Sequence, residues 1–144
     1  MEKIYLSTNP EDTQEIASNL LQELIPGATI CLIGELASGK TTFTQAIGMQ
    51  LGLNRVISPT YMIMKEYKVK DHEYIGNLFH LDLYRLTSKD DIKSFDLEEI
   101  WGKKENLVII EWPEKILDVL PNNHYLVHFK QTGPTQREIK ILCH

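Results

Sequence analysis

Gly34-Glu35-Leu36-Ala37-Ser38-Gly39-Lys40-Thr41 fits the spacing G-x-x-x-x-G-K-[ST], which suits a loop that holds a phosphate anhydride. The glycines let the backbone curl so that successive N–H groups point inward at phosphate oxygens, and a following helix adds its positive N-terminal end. In that geometry Lys40 reaches the β and γ phosphates and the Thr41 hydroxyl ligates Mg²⁺. The bare pattern also describes a plain glycine turn, so its flanks decide. Ahead of it, Ala28-Thr29-Ile30-Cys31-Leu32-Ile33 is a short apolar, β-branched run. Behind it, Thr42 to Leu51 carries Phe43, Ile47 and Leu51 on one helical face, with Gly52 as a stop. A buried strand enters the loop and a helix leaves it, which predicts an α/β fold.

Outward from the loop, the segments agree with that reading. Asn9 is a helix cap for a segment starting at Pro10, with Glu11 and Asp12 in its first turn and Ile16, Leu20 and Leu24 on its buried face. Downstream, Asn54 to Pro59 is a polar connection, so Ser58-Pro59-Thr60 is expected extended and near the surface, where Thr60 can sense a γ-phosphate as switch segments do. Tyr61 to Lys68 and Asn77 to Tyr84 read as an antiparallel hairpin. In its second strand Phe79, Leu81 and Leu83 alternate with His80, Asp82 and Tyr84, giving one apolar and one polar face. Ser88 before Asp91 and Asp96 before Glu99 resemble the starts of two short helices, whose apolar faces come from Ile92, Phe95, Leu97, Ile100 and Trp101.

Leu107-Val108-Ile109-Ile110-Glu111 is an uninterrupted apolar strand ending in a carboxylate, the pattern of a buried parallel strand. Ligands of open α/β sheets sit at the carboxyl ends of strands, so Glu111 is expected beside the phosphate loop. Lys115 to Val119 is a helical turn, and Tyr125 to Lys130 pairs through Gly133-Pro134 with Arg137 to Cys143. The expected architecture is a single-domain α/β phosphate-loop NTPase over residues 1–144, three-layered, with a mixed parallel and antiparallel central sheet.

A chain of 144 residues, 42% hydrophobic and 24% charged, has enough core for one such domain. No apolar run approaches the ~20 residues that span a bilayer, and the start Met1-Glu2-Lys3-Ile4-Tyr5 has no signal-peptide layout. The expectation is a cytoplasmic protein, monomeric when alone, without a membrane contact. Cys31 in the central strand and Cys143 near the end suggest neither a disulfide framework nor zinc. A net charge of −5 argues against direct gripping of nucleic acid, so any role with RNA runs through a partner.

A phosphate loop by itself implies only binding; hydrolysis or transfer also needs a group that positions the attacking oxygen. Glu111 is the leading candidate, as an outer ligand of Mg²⁺, an orienter of water or a base. Asp82 can share the metal through water. The five histidines show no metal-ligand spacing, and His80 reads as a polar-face strand residue. Arg85 and Arg137 are the arginines suited to a phosphate or a partner's carboxylate.

Four blocks, Gly34 to Thr42, Ser58-Pro59-Thr60-Tyr61, His80-Leu81-Asp82-Leu83-Tyr84-Arg85-Leu86 and Ile110-Glu111-Trp112-Pro113, resemble in order and spacing the TsaE (YjeE) ATPases of bacteria. The resemblance implies a small ATPase required for N6-threonylcarbamoyl modification of adenosine 37 in tRNAs reading codons that begin with A. It also implies partners TsaB and TsaD, whose complex switches the ATPase on. By motif, Leu36, Ala37, Ser38, Gly39, Lys40, Thr41 and Thr42 bind ATP, Thr41 and Glu111 match Mg²⁺ positions, and Thr60, Asp82 and Trp112 match functionally sensitive positions. The family's hold on the nucleoside suggests Pro10, Thr13, Gln136 and Arg137. Ala37 departs from the family's glycine, so the loop is expected to take ordinary torsions there. A small-molecule kinase and a nucleotide-gated binding module are the alternatives. A GTPase is disfavoured by the lack of an Asn-Lys-x-Asp segment.

Overall fold

Short β-branched runs alternating with amphipathic segments build a seven-stranded sheet with helices against it. The computed structural model describes residues 2–35, 37–56, 63–86, 88, 90–92 and 96–143. In chain order the elements are β1 (Glu2–Ser7), α1 (Pro10–Glu23), β2 (Thr29–Gly34), α2 (Lys40–Gln50), β3 (Met64–Lys68), β4 (Asn77–Asp82), α3 (Leu97–Ile100), β5 (Asn106–Glu111), a 3₁₀ helix (Pro113–Val119), β6 (His124–Gln131) and β7 (Arg137–Cys143). The strand order is β1-β7-β6-β2-β5-β4-β3. β4, β5, β2 and β6 run parallel, while β3, β7 and β1 are antiparallel to their neighbours. This is the mixed sheet the sequence predicts.

Parallel central strands are covered on both faces, which is why β2 and β5 are near-continuous apolar runs. Ile30, Cys31 and Leu32 are wholly buried, and every residue of β5 is buried. Burial pushes the Cys31 thiol up to about 12, so it is a core residue without nucleophilic chemistry. On one face α1 and α2 pack Leu20, Leu21, Phe43 and Ile47 onto Ile30, Leu32 and Ile109. On the other, Leu97, Ile100 and Ile116 pack onto Cys31, Val108 and Ile110. Asn9 caps α1 as expected, its Oδ1 accepting from the Asp12 N–H at 2.7 Å, with Pro10 in the first turn.

Two segments differ from the sequence expectation, and a third bears it out. β1 was not anticipated, because its apolar Ile4 and Leu6 are 59% and 60% exposed and its hold is backbone pairing to β7. Between β4 and β5, the two short helices expected are present among the described residues as a 3₁₀ turn over 90–92 and the four-residue α3. Ser88 Oγ accepts from the Asp90 N–H and Asp91 Oδ2 from the Ser88 N–H, while Asp96 precedes α3 at φ 47 without a side-chain cap. Phe95 lies outside the described residues. Finally, β4 has no solvated polar face: Leu78, Phe79, His80 and Leu81 are all buried, because a parallel neighbour and helix-side packing cover both of its sides.

Candidate functional site

β2 ends at Gly34, the chain loops back, and α2 begins at Lys40. Glycine is required at both ends of that loop. A Cβ on Gly34 would meet Ser38 Oγ at 2.8 Å and the Phe129 carbonyl oxygen at 2.9 Å. Gly39 takes φ +111, and a Cβ there would press on Arg137 Cδ at 3.2 Å. Ala37 corrects the sequence expectation: it adopts φ 61, the left-handed region, rather than ordinary torsions. The tight chain reversal needs that torsion whatever residue supplies it, at a strain of about 1–2 kcal/mol for an L side chain.

The loop opens onto a cavity of about 260 Å³ lined by Ala37, Gly39, Lys40, Thr41, Thr42, Asp82, Glu111, Trp112 and Arg137. Residues from the ends of three different strands and from one helix N-terminus thus converge at the carboxyl edge of the parallel strands. β4 and β5 are in register with Asp82 opposite Glu111, which sets the two carboxylates side by side. Lys40 is buried, its Nζ donating to the Gly34 carbonyl at 2.7 Å and lying 3.6 Å from the centre of the Trp112 ring. Trp112 takes φ 58 directly after Glu111, and its ring also packs against Tyr84 at 4.9 Å. Arg137 donates from Nη2 to the Ala37 carbonyl at 3.4 Å, bringing the C-terminal hairpin over the loop.

Electrostatics follow from this crowding. Burial pulls the Lys40 ammonium below its ordinary value, against the opposing pull of Glu111, Glu114, Asp82 and Glu35. Burial pushes the Asp82 carboxyl up, with the Glu111 charge adding to it, while the Tyr84 N–H at 3.0 Å and the His80 and Lys40 charges oppose the shift. An acid whose folded value is raised is a stability cost above that value and neutral below the unfolded 3.8. Asp82→Asn, which keeps an acceptor for Tyr84, is therefore expected to raise the midpoint of ligand-free unfolding at pH 7. The gain shrinks as pH falls towards 3.8, and denaturant titrations across that range check it. A gain that grows as pH falls would contradict this account.

Of the residues singled out by sequence, Ala37, Gly39, Lys40, Thr41, Thr42, Asp82, Glu111 and Arg137 are brought together. Ser38 is buried within the loop and outside the cavity lining. Pro10, Thr13 and Gln136 are outside the lining: Pro10 is exposed at the start of α1, Gln136 is exposed in the β6–β7 connection, and Thr13 Oγ1 is 2.7 Å from Ser7 Oγ. Leu36 and Thr60 fall outside the described residues. His80 was read as a polar-face residue, and the structure corrects this: its Nε2 is 2.8 Å from Glu111 Oε2 in the interior. Only the parallel β4–β5 register, which sequence periodicity does not specify, would have revealed that partnership.

Among the described residues no group of three or more His, Cys, Asp or Glu is placed to hold a metal, and no helix is long and apolar enough to cross a membrane. Two carboxylates and a threonine hydroxyl on one cavity are hard oxygen donors. They fit Mg²⁺, which commonly takes one or two carboxylates and completes its shell with phosphate and water.

A glycine–lysine loop between a buried parallel strand and a helix, with a carboxylate at the end of the adjacent strand, defines the phosphate-loop class of α/β proteins. Within it the chain belongs to the TsaE family: the family model described as "Threonylcarbamoyl adenosine biosynthesis protein TsaE" matches residues 7–139. TsaE proteins are involved in tRNA threonylcarbamoyladenosine biosynthesis. The tRNA threonylcarbamoyladenosine biosynthesis protein TsaE of Bacillus subtilis is 34% identical over 134 residues, covering 92% of this chain and 80% of that protein. Its counterpart in Treponema pallidum is 30% identical over 94% of this chain and 97% of its own length. The crystal structure of Bacillus subtilis YdiB superposes with a TM-score of 0.78 at 30% identity, covering 98% of this chain and 84% of that one.

Proposed function

We propose that this chain is a Mg²⁺-dependent ATP-binding and ATP-hydrolysing component of N6-threonylcarbamoyladenosine formation at adenosine 37 of tRNAs reading codons that begin with A. It works in the cytoplasm with TsaB and TsaD and meets tRNA only through that complex. The observation that carries this reading is the convergence of Lys40, Thr41, Asp82, Glu111 and Arg137 on one cavity at the mouth of the phosphate loop. Loop N–H groups and the α2 N-terminus bind the phosphates, and Lys40 leaves the Gly34 carbonyl to reach the β and γ oxygens. Thr41 and Glu111 hold the metal, with Asp82 beside them; when bound, Mg²⁺ neutralises charge on the β and γ phosphates. Glu111 orients the attacking water, and Thr60 senses the γ-phosphate. Arg137, Gln136 and the exposed Pro10 hold the nucleoside end, and Thr13, engaged with Ser7, supports them from within α1.

So small a site supplies few groups to stabilise transition-state charge, so turnover is slow alone and faster when a partner orders the loop or adds a cation. The test is ATP hydrolysis with Mg²⁺ by the protein alone and with purified TsaB and TsaD. Stimulation by the pair is expected. Equal rates with and without them overturn the partner-gated reading, and transfer of labelled γ-phosphate to a small acceptor would point to a kinase instead.

A further inference from the structure

His80 lies two residues before Asp82 on β4, so it shares the face on which Asp82 stands opposite Glu111. From one row deeper its Nε2 comes within 2.8 Å of Glu111 Oε2, and the two side chains are 2% and 6% exposed. A carboxylate oxygen offers only lone pairs, so the ring supplies the hydrogen and Nε2–H donates. A buried carboxylate is costly unless it is hydrogen-bonded. His80 is thus a hydrogen-bond donor that β4 places in the interior beside Glu111.

Packing by itself does not explain an imidazole at this position. Its register partner across β5 is Ile109, and Leu78, two residues earlier on the same face, is wholly buried. Leu or Val would suit such surroundings. The ring also carries a cost, since Nδ1 is buried with no hydrogen-bond partner among the described residues. What offsets that cost is the bond to Glu111, which stops the carboxylate turning about its last torsion and sets the plane in which its oxygens lie.

We propose that His80 is the positioning residue for Glu111, holding through its Nε2–H the carboxylate orientation that receives the divalent cation of a metal–nucleotide complex. The inference rests on the nucleotide-site reading of Glu111 above. It says which interaction makes that carboxylate a usable ligand: the contact runs to a buried ring on the adjacent strand, one layer below the loop. Outer partners of this kind commonly change metal affinity by about 10–100-fold when removed.

The test compares His80→Leu with His80→Gln, whose amide nitrogen reaches about as far along the side chain as imidazole Nε2, each alone and combined with Glu111→Gln. Calorimetry measures the affinity for a non-hydrolysable ATP analogue with and without Mg²⁺, and kinetics separates kcat from KM. His80→Leu is expected to leave metal-free affinity within about two-fold, to cut the gain conferred by Mg²⁺ by about ten-fold or more, and to lower kcat more than it raises KM. His80→Gln recovers most of the Mg²⁺ gain. In the Glu111→Gln background His80→Leu adds less than about two-fold, since the group it acts through is altered.

An unchanged Mg²⁺ gain in His80→Leu overturns the proposal, as does a Gln variant no better than Leu or a loss that simply adds to Glu111→Gln. Should His80→Leu fail to fold, His80→Gln and the His80→Leu/Glu111→Gln double variant still decide. The parent reading fails separately, when wild-type protein binds no nucleotide. A wild type whose Mg²⁺ gain survives every His80 change sinks this inference alone.

Discussion

Glu111→Gln is expected to lower ATP turnover by about 10²–10³-fold while the protein stays folded and still binds nucleotide. The size follows from removing a preorganised charge from a water-poor site, where one such group contributes about 3–4 kcal/mol to the transition state. The retention of fold follows from the local bonding. Gln keeps the length of Glu and one carbonyl oxygen, so His80 Nε2–H still has an acceptor at the Oε2 position. Removing a charge from a strand interior that is only 4% exposed does not add to the desolvation cost. Single-turnover hydrolysis and analogue-induced thermal stabilisation, measured on the same preparations, separate the two effects. A variant with wild-type turnover would remove Glu111 from the chemistry and favour a loop that only binds. A variant that neither binds nor folds would show that the charge itself holds the strand end in place.

The same two strands show why part of the molecule is legible in its sequence and part is not. β2 and β5 are buried on both faces, so each is an unbroken apolar run that periodicity reports directly, and the strand-end rule then puts Glu111 beside the loop. β1 escapes because a strand at the sheet edge is held by backbone bonds to β7, which leave no mark on side-chain pattern. His80 escapes for a different reason. Alternation along β4 says that His80 and Asp82 share a face, and polar residues suggest that this face is wet. What stands beside that face is set by strands far apart in sequence, and only the observed register turns it into a buried histidine–carboxylate pair. Ala37 shows the limit of reading torsions from residue type: the turn between β2 and α2 imposes φ 61, and alanine tolerates it at a strain of about 1–2 kcal/mol. The residues that the resemblance suggests for the nucleoside end divide on the same principle. Arg137 is long enough to cross from β7 to the Ala37 carbonyl, whereas Thr13 is already 2.7 Å from Ser7 Oγ in the interior.

Lys40→Met is expected to move two measurements in opposite directions, weakening nucleotide affinity by about 10²-fold while leaving the ligand-free protein at least as stable as wild type. The loss of affinity comes from charge-assisted bonds to two phosphates, each worth about 1.5–3 kcal/mol, so that removing them costs two orders of magnitude or more in binding. The stability effect comes from the surroundings of Lys40. Lys40 is buried, with one hydrogen bond to Gly34 and the face of Trp112 as company, and burial outweighs the surrounding carboxylates to hold its value below the ordinary 10.5. A lysine lowered on folding binds fewer protons in the folded state than in the unfolded one. Stability therefore rises with pH between the folded value and 10.5, and the charge is a cost throughout the range below. Methionine fills much of the same volume without that cost, so the variant's advantage is full at neutral pH and narrows as the wild-type amine deprotonates. Urea unfolding of both proteins without nucleotide, at a series of pH values from 7 upwards, reads this directly. A variant less stable than wild type at pH 7 would mean that the Gly34 and Trp112 contacts outweigh desolvation, and that Lys40 is a brace for the empty loop as well as a phosphate ligand. The expected result gives the reverse relation: the loop holds its buried lysine at a cost in stability, and a bound phosphate is expected to offset it.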